Sequence, residues 1–80
     1  MSAPDLILVI DEGTTSTRAM AFDRAFQPVA VAQIEIALTY PADGWVEQDG
    51  ADIWTKTLQV CRNVIDQVGG AGRIAAIGIT

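Results

Sequence analysis

Eighty residues, half of them apolar, allow one small domain with a modest core, or a piece of a larger one. The net charge is −5, and the five bases (Arg18, Arg24, Lys56, Arg62 and Arg73) form no stripe that could follow a nucleic-acid backbone. No window has the length of a membrane span and no basic-then-apolar leader opens the chain, so neither a membrane nor export is expected.

In chain order, residues 1–4 read as a loose tail. Leu6-Ile7-Leu8-Val9-Ile10 is an unbroken apolar run, the pattern of a strand buried on both faces, predicted over residues 5–11. A polar loop follows, and a second strand is predicted over residues 17–22. Asp23 and Pro28 bound a turn. The third strand, residues 29–37, sets Ala30, Ala32, Ile34 and Ile36 on its better core face. Residues 38–48 are irregular, with Pro41 and Gly44 as breakers, and Asp49 is a good helix N-cap.

A helix is predicted over residues 50–68. Its apolar stripe runs through Trp54, Leu58, Cys61, Ile65 and Val68, widened by Ile53, Val60 and Val64. Trp54 is therefore expected in the core, and Trp45 to pack the irregular segment onto the body. Cys61 is the single cysteine. With no histidine in the chain to activate it, it reads as a small core residue in a reducing compartment. The missing histidine also excludes a Ser-His-Asp triad within these residues. Gly69-Gly70 stops the helix, and residues 73–80 form a fourth strand. Three strands as an antiparallel meander, a crossover helix and a strand parallel to the first make the start of an α/β domain. No element remains to cover the second sheet face, which reads as truncation.

The loop Asp11-Glu12-Gly13-Thr14-Thr15-Ser16-Thr17-Arg18 carries the chemistry. Gly13 permits close backbone approach and a strained turn, and successive amides can form an anion nest. Thr14, Thr15 and Ser16 add hydroxyl donors, and Arg18 a cationic fork suited to phosphate. Asp11 is a hard oxygen ligand of the kind magnesium borrows beside a phosphate. The same residues also make an ordinary hairpin turn, and both readings stand on composition. Neither GxxxxGK[ST] nor GxGxxG is present.

The residues also resemble a family. Asp11 to Arg18 is similar to the first phosphate motif of the FGGY carbohydrate kinases, in the form carried by their glycerol-phosphorylating branch. Tyr40-Pro41-Ala42-Asp43-Gly44-Trp45-Val46-Glu47-Gln48-Asp49 with Ile53-Trp54 resembles a second segment, and Ile74 to Thr80 the strand before the substrate loop. The likeness spans nearly the whole chain. Glu12 departs from it, standing where the family commonly has glutamine, and is expected to face away from the phosphates.

The resemblance implies a partial ribonuclease H-like, actin-like ATPase fold, with residues 1–80 the N-terminal portion of the first, incomplete kinase domain. It implies that Thr14, Thr15, Ser16 and Arg18 meet nucleotide phosphates over Gly13, with Asp11 beside the metal. ATP and Mg2+ are the implied cofactors, glycerol or a related polyol the partner, and a cytoplasmic homo-oligomer the expected setting. The family's acceptor grip, catalytic aspartate and adenine pocket fall beyond Thr80, so no catalytic residue is assigned here and the isolated chain is expected to be inactive. Two other readings are a different FGGY kinase, such as a xylulokinase, and a non-catalytic domain that self-associates through its uncovered sheet.

Overall fold

The computed structural model describes residues 4–36 and 50–80. The irregular stretch with Trp45, Glu47 and the Asp49 cap lies outside them. Within them the elements are β1 (Leu6–Glu12), β2 (Ser16–Phe22), β3 (Pro28–Glu35), α1 (Gly50–Gln67) and β4 (Ile74–Ile79). Each predicted element is present, its ends within two residues of the expectation. Pro28 opens β3 instead of ending the turn. A first strand position tolerates proline, because the missing N–H leaves no broken ladder behind it.

The sheet order is β3-β2-β1-β4, with β1 antiparallel to β2, β2 antiparallel to β3, and β4 parallel to β1. This is the expected meander, crossover helix and parallel strand. α1 packs mainly on β2 and β3 and touches β1. Beneath it the sheet offers Ala19, Ala21 and Ala30, flanked by Leu6 and Leu8. The alanines let the helix approach closely, and Val60 and Val64 fill the gap.

That fit rotates the helix away from the expected stripe. Thr57, Val60 and Val64 are buried along α1, with Val68 just past its end, whereas Trp54 is 63 % exposed. Packing Trp54 into the core was the wrong expectation, since a ring of its size does not fit over a floor of alanines. Lys56 and Asp52 pair at 3.0 Å on the helix surface, with the acid N-terminal to the base, the favourable order.

Gly69 and Gly70 end the helix as expected. Their φ values are 93° and 126°. The Gly70 N–H donates to the Ile65 carbonyl at 2.9 Å and the Gly69 N–H to that of Asp66 at 3.2 Å, the two bonds of a Schellman motif. Arg73 then ties three parts together. Its guanidinium reaches the Asp5 carboxylate at 3.3 Å and the Val68 carbonyl at 3.3 Å, and its own carbonyl accepts from the Asp5 N–H at 3.1 Å.

The sheet face away from α1 is open among the described residues. Ile7, Val29 and Val31 are exposed there. At the β4 edge, Ile77 and Ile79 are exposed on the helix side, beside an apolar groove of about 300 Å³ lined by Leu8, Ile65, Ile74 and Ile77.

The turn between β2 and β3 contains one strained residue. The Asp23 carboxylate accepts from the Ala25 and Gln27 N–H groups at 2.9 and 3.0 Å, which closes the turn. Phe26 sits in it at φ 59° with its ring 78 % exposed. The left-handed conformation costs a side chain about 1–2 kcal/mol, less for asparagine. Phe26→Asn therefore raises stability by about 1 kcal/mol, read as a higher denaturation midpoint; a lower midpoint would mean the ring contributes packing that its exposure does not suggest.

Candidate functional site

The hairpin between β1 and β2 is tighter than the sequence suggests. The strands run to Glu12 and restart at Ser16, and the Gly13 N–H donates to the Ser16 carbonyl at 2.8 Å. Thr14 and Thr15 form the tip and are exposed, while Ser16 is half-buried. The Thr15 carbonyl accepts from the Ile36 N–H at 2.8 Å, so the end of β3 braces the tip. On the other side, the Glu12 N–H donates to the Thr80 carbonyl at 3.0 Å and the Thr80 N–H to the Ile10 carbonyl at 2.9 Å. The tip and the C-terminal end of β4 thus share one edge of the sheet, outside the carboxyl ends of its two parallel strands, where α/β folds bind ligands.

Gly13 does not adopt the strained turn expected of it. Its φ is not in the left-handed region, so no strained dihedral requires glycine there. Space favours it: a Cβ at this position would lie 3.1 Å from the Ser16 carbonyl oxygen, a tight contact with the acceptor that closes the hairpin.

Register decides where the charged side chains fall. Asp11 pairs across the ladder with Arg18, and Glu12 with Thr17. Alternation sends the two pairs to opposite faces. On the open face, Arg18 Nη2 lies 2.9 Å from Asp11 Oδ2, with both side chains about two-fifths exposed. On the helix face, Glu12 Oε1 accepts from Thr17 Oγ1 at 2.9 Å and from Thr57 Oγ1 at 2.8 Å. Glu12 accordingly points away from Asp11 and Arg18.

Thr17 and Thr57 are residues the sequence reading did not single out. Both signals were present: Thr17 shares the strand face of Ala19 and Ala21, and Thr57 stands at helical spacing from Val60 and Val64. Their buried hydroxyls mark where Glu12 can be held. Cys61 lies nearby and is half-buried against the core, as expected. Burial, and secondarily the Glu12 charge, push its thiol above its ordinary pKa, so it stays protonated and unreactive at neutral pH.

Chemically, the tip presents two exposed threonines, and this end of the open face the carboxylates of Asp11 and Glu35, the latter on β3 opposite Ser16, with the Arg18 guanidinium. Among the described residues no group of three or more histidine, cysteine or acidic side chains could hold a metal ion. Carboxylates this few beside hydroxyls suit a cation that arrives with a phosphate ligand and keeps its waters, and do not suit a caged metal.

Residues 6–80 match the family model described as the N-terminal domain of the FGGY family of carbohydrate kinases. The chain is 50 % identical over 80 residues to a glycerol kinase of Gluconobacter oxydans, covering 100 % of this chain and 16 % of that one. It is 53 % identical over 75 residues to a glycerol kinase of Rhodospirillum centenum, covering 92 % and 15 %. Among solved structures, the xylulose kinase of Rhodospirillum rubrum superposes with a TM-score of 0.85 at 31 % identity, over 92 % of this chain and 15 % of that one. The chain thus spans about one-sixth of the length of the curated relatives it matches.

Proposed function

The chain belongs to the FGGY family of carbohydrate kinases, and on that footing we propose that it is the N-terminal portion of the first domain of a glycerol kinase, carrying the loop that holds the nucleotide phosphates. The parent enzyme transfers the γ-phosphoryl of ATP to glycerol, giving glycerol 3-phosphate and ADP. The observation that carries this reading is half-identity to a glycerol kinase along all 80 residues, hairpin included.

In this reading Thr14, Thr15 and Ser16 donate hydroxyl hydrogen bonds to phosphate oxygens, with the backbone at Gly13 close beneath them. Arg18 supplies a charged fork to the same oxygens, and Asp11 holds a Mg2+ ion through its water shell. When bound, the ion screens charge on the phosphoryl oxygens. The residues of this chain position and neutralise; none is given the role of base or of acceptor grip. The same reading sets the enzyme in the cytoplasm as a homo-oligomer; no helix among the described residues is long and apolar enough to cross a membrane.

The test is a chimera in which this chain replaces the matching first 80 residues of the Gluconobacter oxydans enzyme. It is expected to release ADP from ATP only when glycerol is present, and Thr14→Val is expected to lower that rate. Because the acceptor grip falls beyond Thr80, the chimera tests the phosphate loop alone; the runner-up, a sugar kinase of the same family, which the fold likeness to a xylulose kinase keeps in view, is tested by assaying the full-length parent on glycerol and xylulose. A folded chimera inert with glycerol would remove the kinase reading.

A further inference from the structure

We infer that Glu12 is a positioning residue: its carboxylate ties the start of the phosphate loop to helix α1 and to β2, and so sets how tightly the nucleotide is held. The inference rests on the kinase reading above and adds a residue to it. Glu12 is the last residue of β1, directly before the hairpin tip. Its backbone is fixed to β4 through the Thr80 carbonyl, and its Oε1 accepts from Thr17 on one element and Thr57 on another. The two threonines are the buried polar side chains among the described residues, at 0 % and 9 % exposure. A buried hydroxyl left without a partner is costly, and one carboxylate oxygen serves both.

The proton count sharpens this. The Thr57 hydroxyl has one proton and two acceptors at 2.8 Å, Glu12 Oε1 and the Ile53 carbonyl oxygen. The Ile53 carbonyl already belongs to the helix ladder and is neutral. The carboxylate forms the stronger, charge-assisted bond, so the proton goes to Glu12. Helix, strand and loop origin are thereby joined at one atom. A glutamine could keep the joint, its carbonyl accepting from Thr17 and its amide donating to Thr57, which then turns to Ile53. An alanine could not. A loop held in its binding shape pays less ordering cost when ligand arrives, so loosening its origin appears as weaker nucleotide binding.

The test uses the chimera with E12A, E12Q and T57V, the last removing only the helix end of the joint should E12A fold poorly. Hydrogen exchange of a peptide spanning residues 9–20 is expected to speed about 10-fold in E12A, with a peptide spanning 57–68 unchanged. The KM for Mg-ATP is expected to rise about 10-fold with kcat and the KM for glycerol held, T57V to move part of the way, and E12Q to restore the unaltered values. Loss of folded enzyme would instead lower kcat and leave KM alone. The inference is overturned if E12A matches the unaltered protein in exchange and KM, if E12Q is as damaged as E12A, or if E12A binds nucleotide more tightly, which would make Glu12 a repelling charge. If the unaltered chimera binds no Mg-ADP, the phosphate reading itself has failed; unchanged exchange in E12A sinks the positioning role alone.

Discussion

Leu8→Ala is expected to cost the fold about 3–5 kcal/mol, the upper part of the range for buried leucines. Leu8 sits in the middle of β1, fully buried, with Ala21 opposite it on β2 and Ile77 on β4. Beneath the helix it packs with alanines and valines, and toward the β4 edge it lines the apolar groove with Ile65, Ile74 and Ile77, so its loss removes buried contacts and opens that groove into the core. A chain of this length has about 4–12 kcal/mol of stability in total, so the variant is expected to lose a large share of it. Ile7→Ala provides the contrast on the neighbouring position. Ile7 faces the open side of the sheet and is exposed, so the same loss of methylenes costs about 1 kcal/mol or less. Urea titration of the two variants decides the matter. Equal losses would mean that the open face of this sheet is packed in solution.

The two faces of β1 show what the sequence could and could not convey. The apolar runs pointed to strands because they are short, mostly rich in β-branched residues and bounded by polar turn residues, which together favour a strand over a buried helix segment. They could not say which face a helix covers: Leu6-Ile7-Leu8-Val9-Ile10 reads alike on both sides, yet Leu6 and Leu8 are buried under α1 and Ile7 is exposed. The helix had the same ambiguity in another form. Apolar residues at 53, 54, 58, 60, 61, 64, 65 and 68 cover a wide arc. Its true centre near Thr57, Val60 and Val64 is set by the alanines of β2 and β3, a property of the partner surface. Counting apolar spacing along the helix favoured Trp54 because it weighs hydrophobicity and not the room available.

The site was legible as a list of residues and hidden as an arrangement. Placing the second strand at Thr17 left a loose five-residue loop, in which Asp11 and Arg18 had no fixed relation. The closing bond from the Gly13 N–H to Ser16 shortens the tip to two residues, and register alone then pairs 11 with 18 and 12 with 17. The same step splits the two acids by face, Asp11 toward the open face and Glu12 toward the helix. A tight hairpin was recoverable from the sequence; a carboxylate shared by two buried threonines required the helix to be in place.

In the chimera, Arg18→Ala is expected to weaken Mg-ADP binding about 10–100-fold, the worth of one or two charge-assisted bonds to phosphate. Folding stability should change by no more than about 1 kcal/mol, because the Arg18–Asp11 pair is about two-fifths exposed on both sides and such pairs contribute little. That low cost has a consequence for how the two residues act. Without nucleotide they neutralise each other at 2.9 Å. A phosphate carries more charge than a carboxylate and a divalent cation more than a guanidinium, so each partner gains by exchanging the other for ligand. Asp11→Asn should therefore have an effect that depends on the metal. With Mg2+ present, ADP binding is expected to weaken about 10-fold or more, since the negative charge that holds the hydrated ion is lost. In excess EDTA the same variant should bind ADP as well as the unaltered protein or a few-fold more tightly, because Arg18 no longer has a competing carboxylate. Isothermal titration with and without the metal separates these cases. If Asp11→Asn weakens ADP equally in both, Asp11 serves only to hold Arg18 in place, and the metal is bound by residues outside this chain.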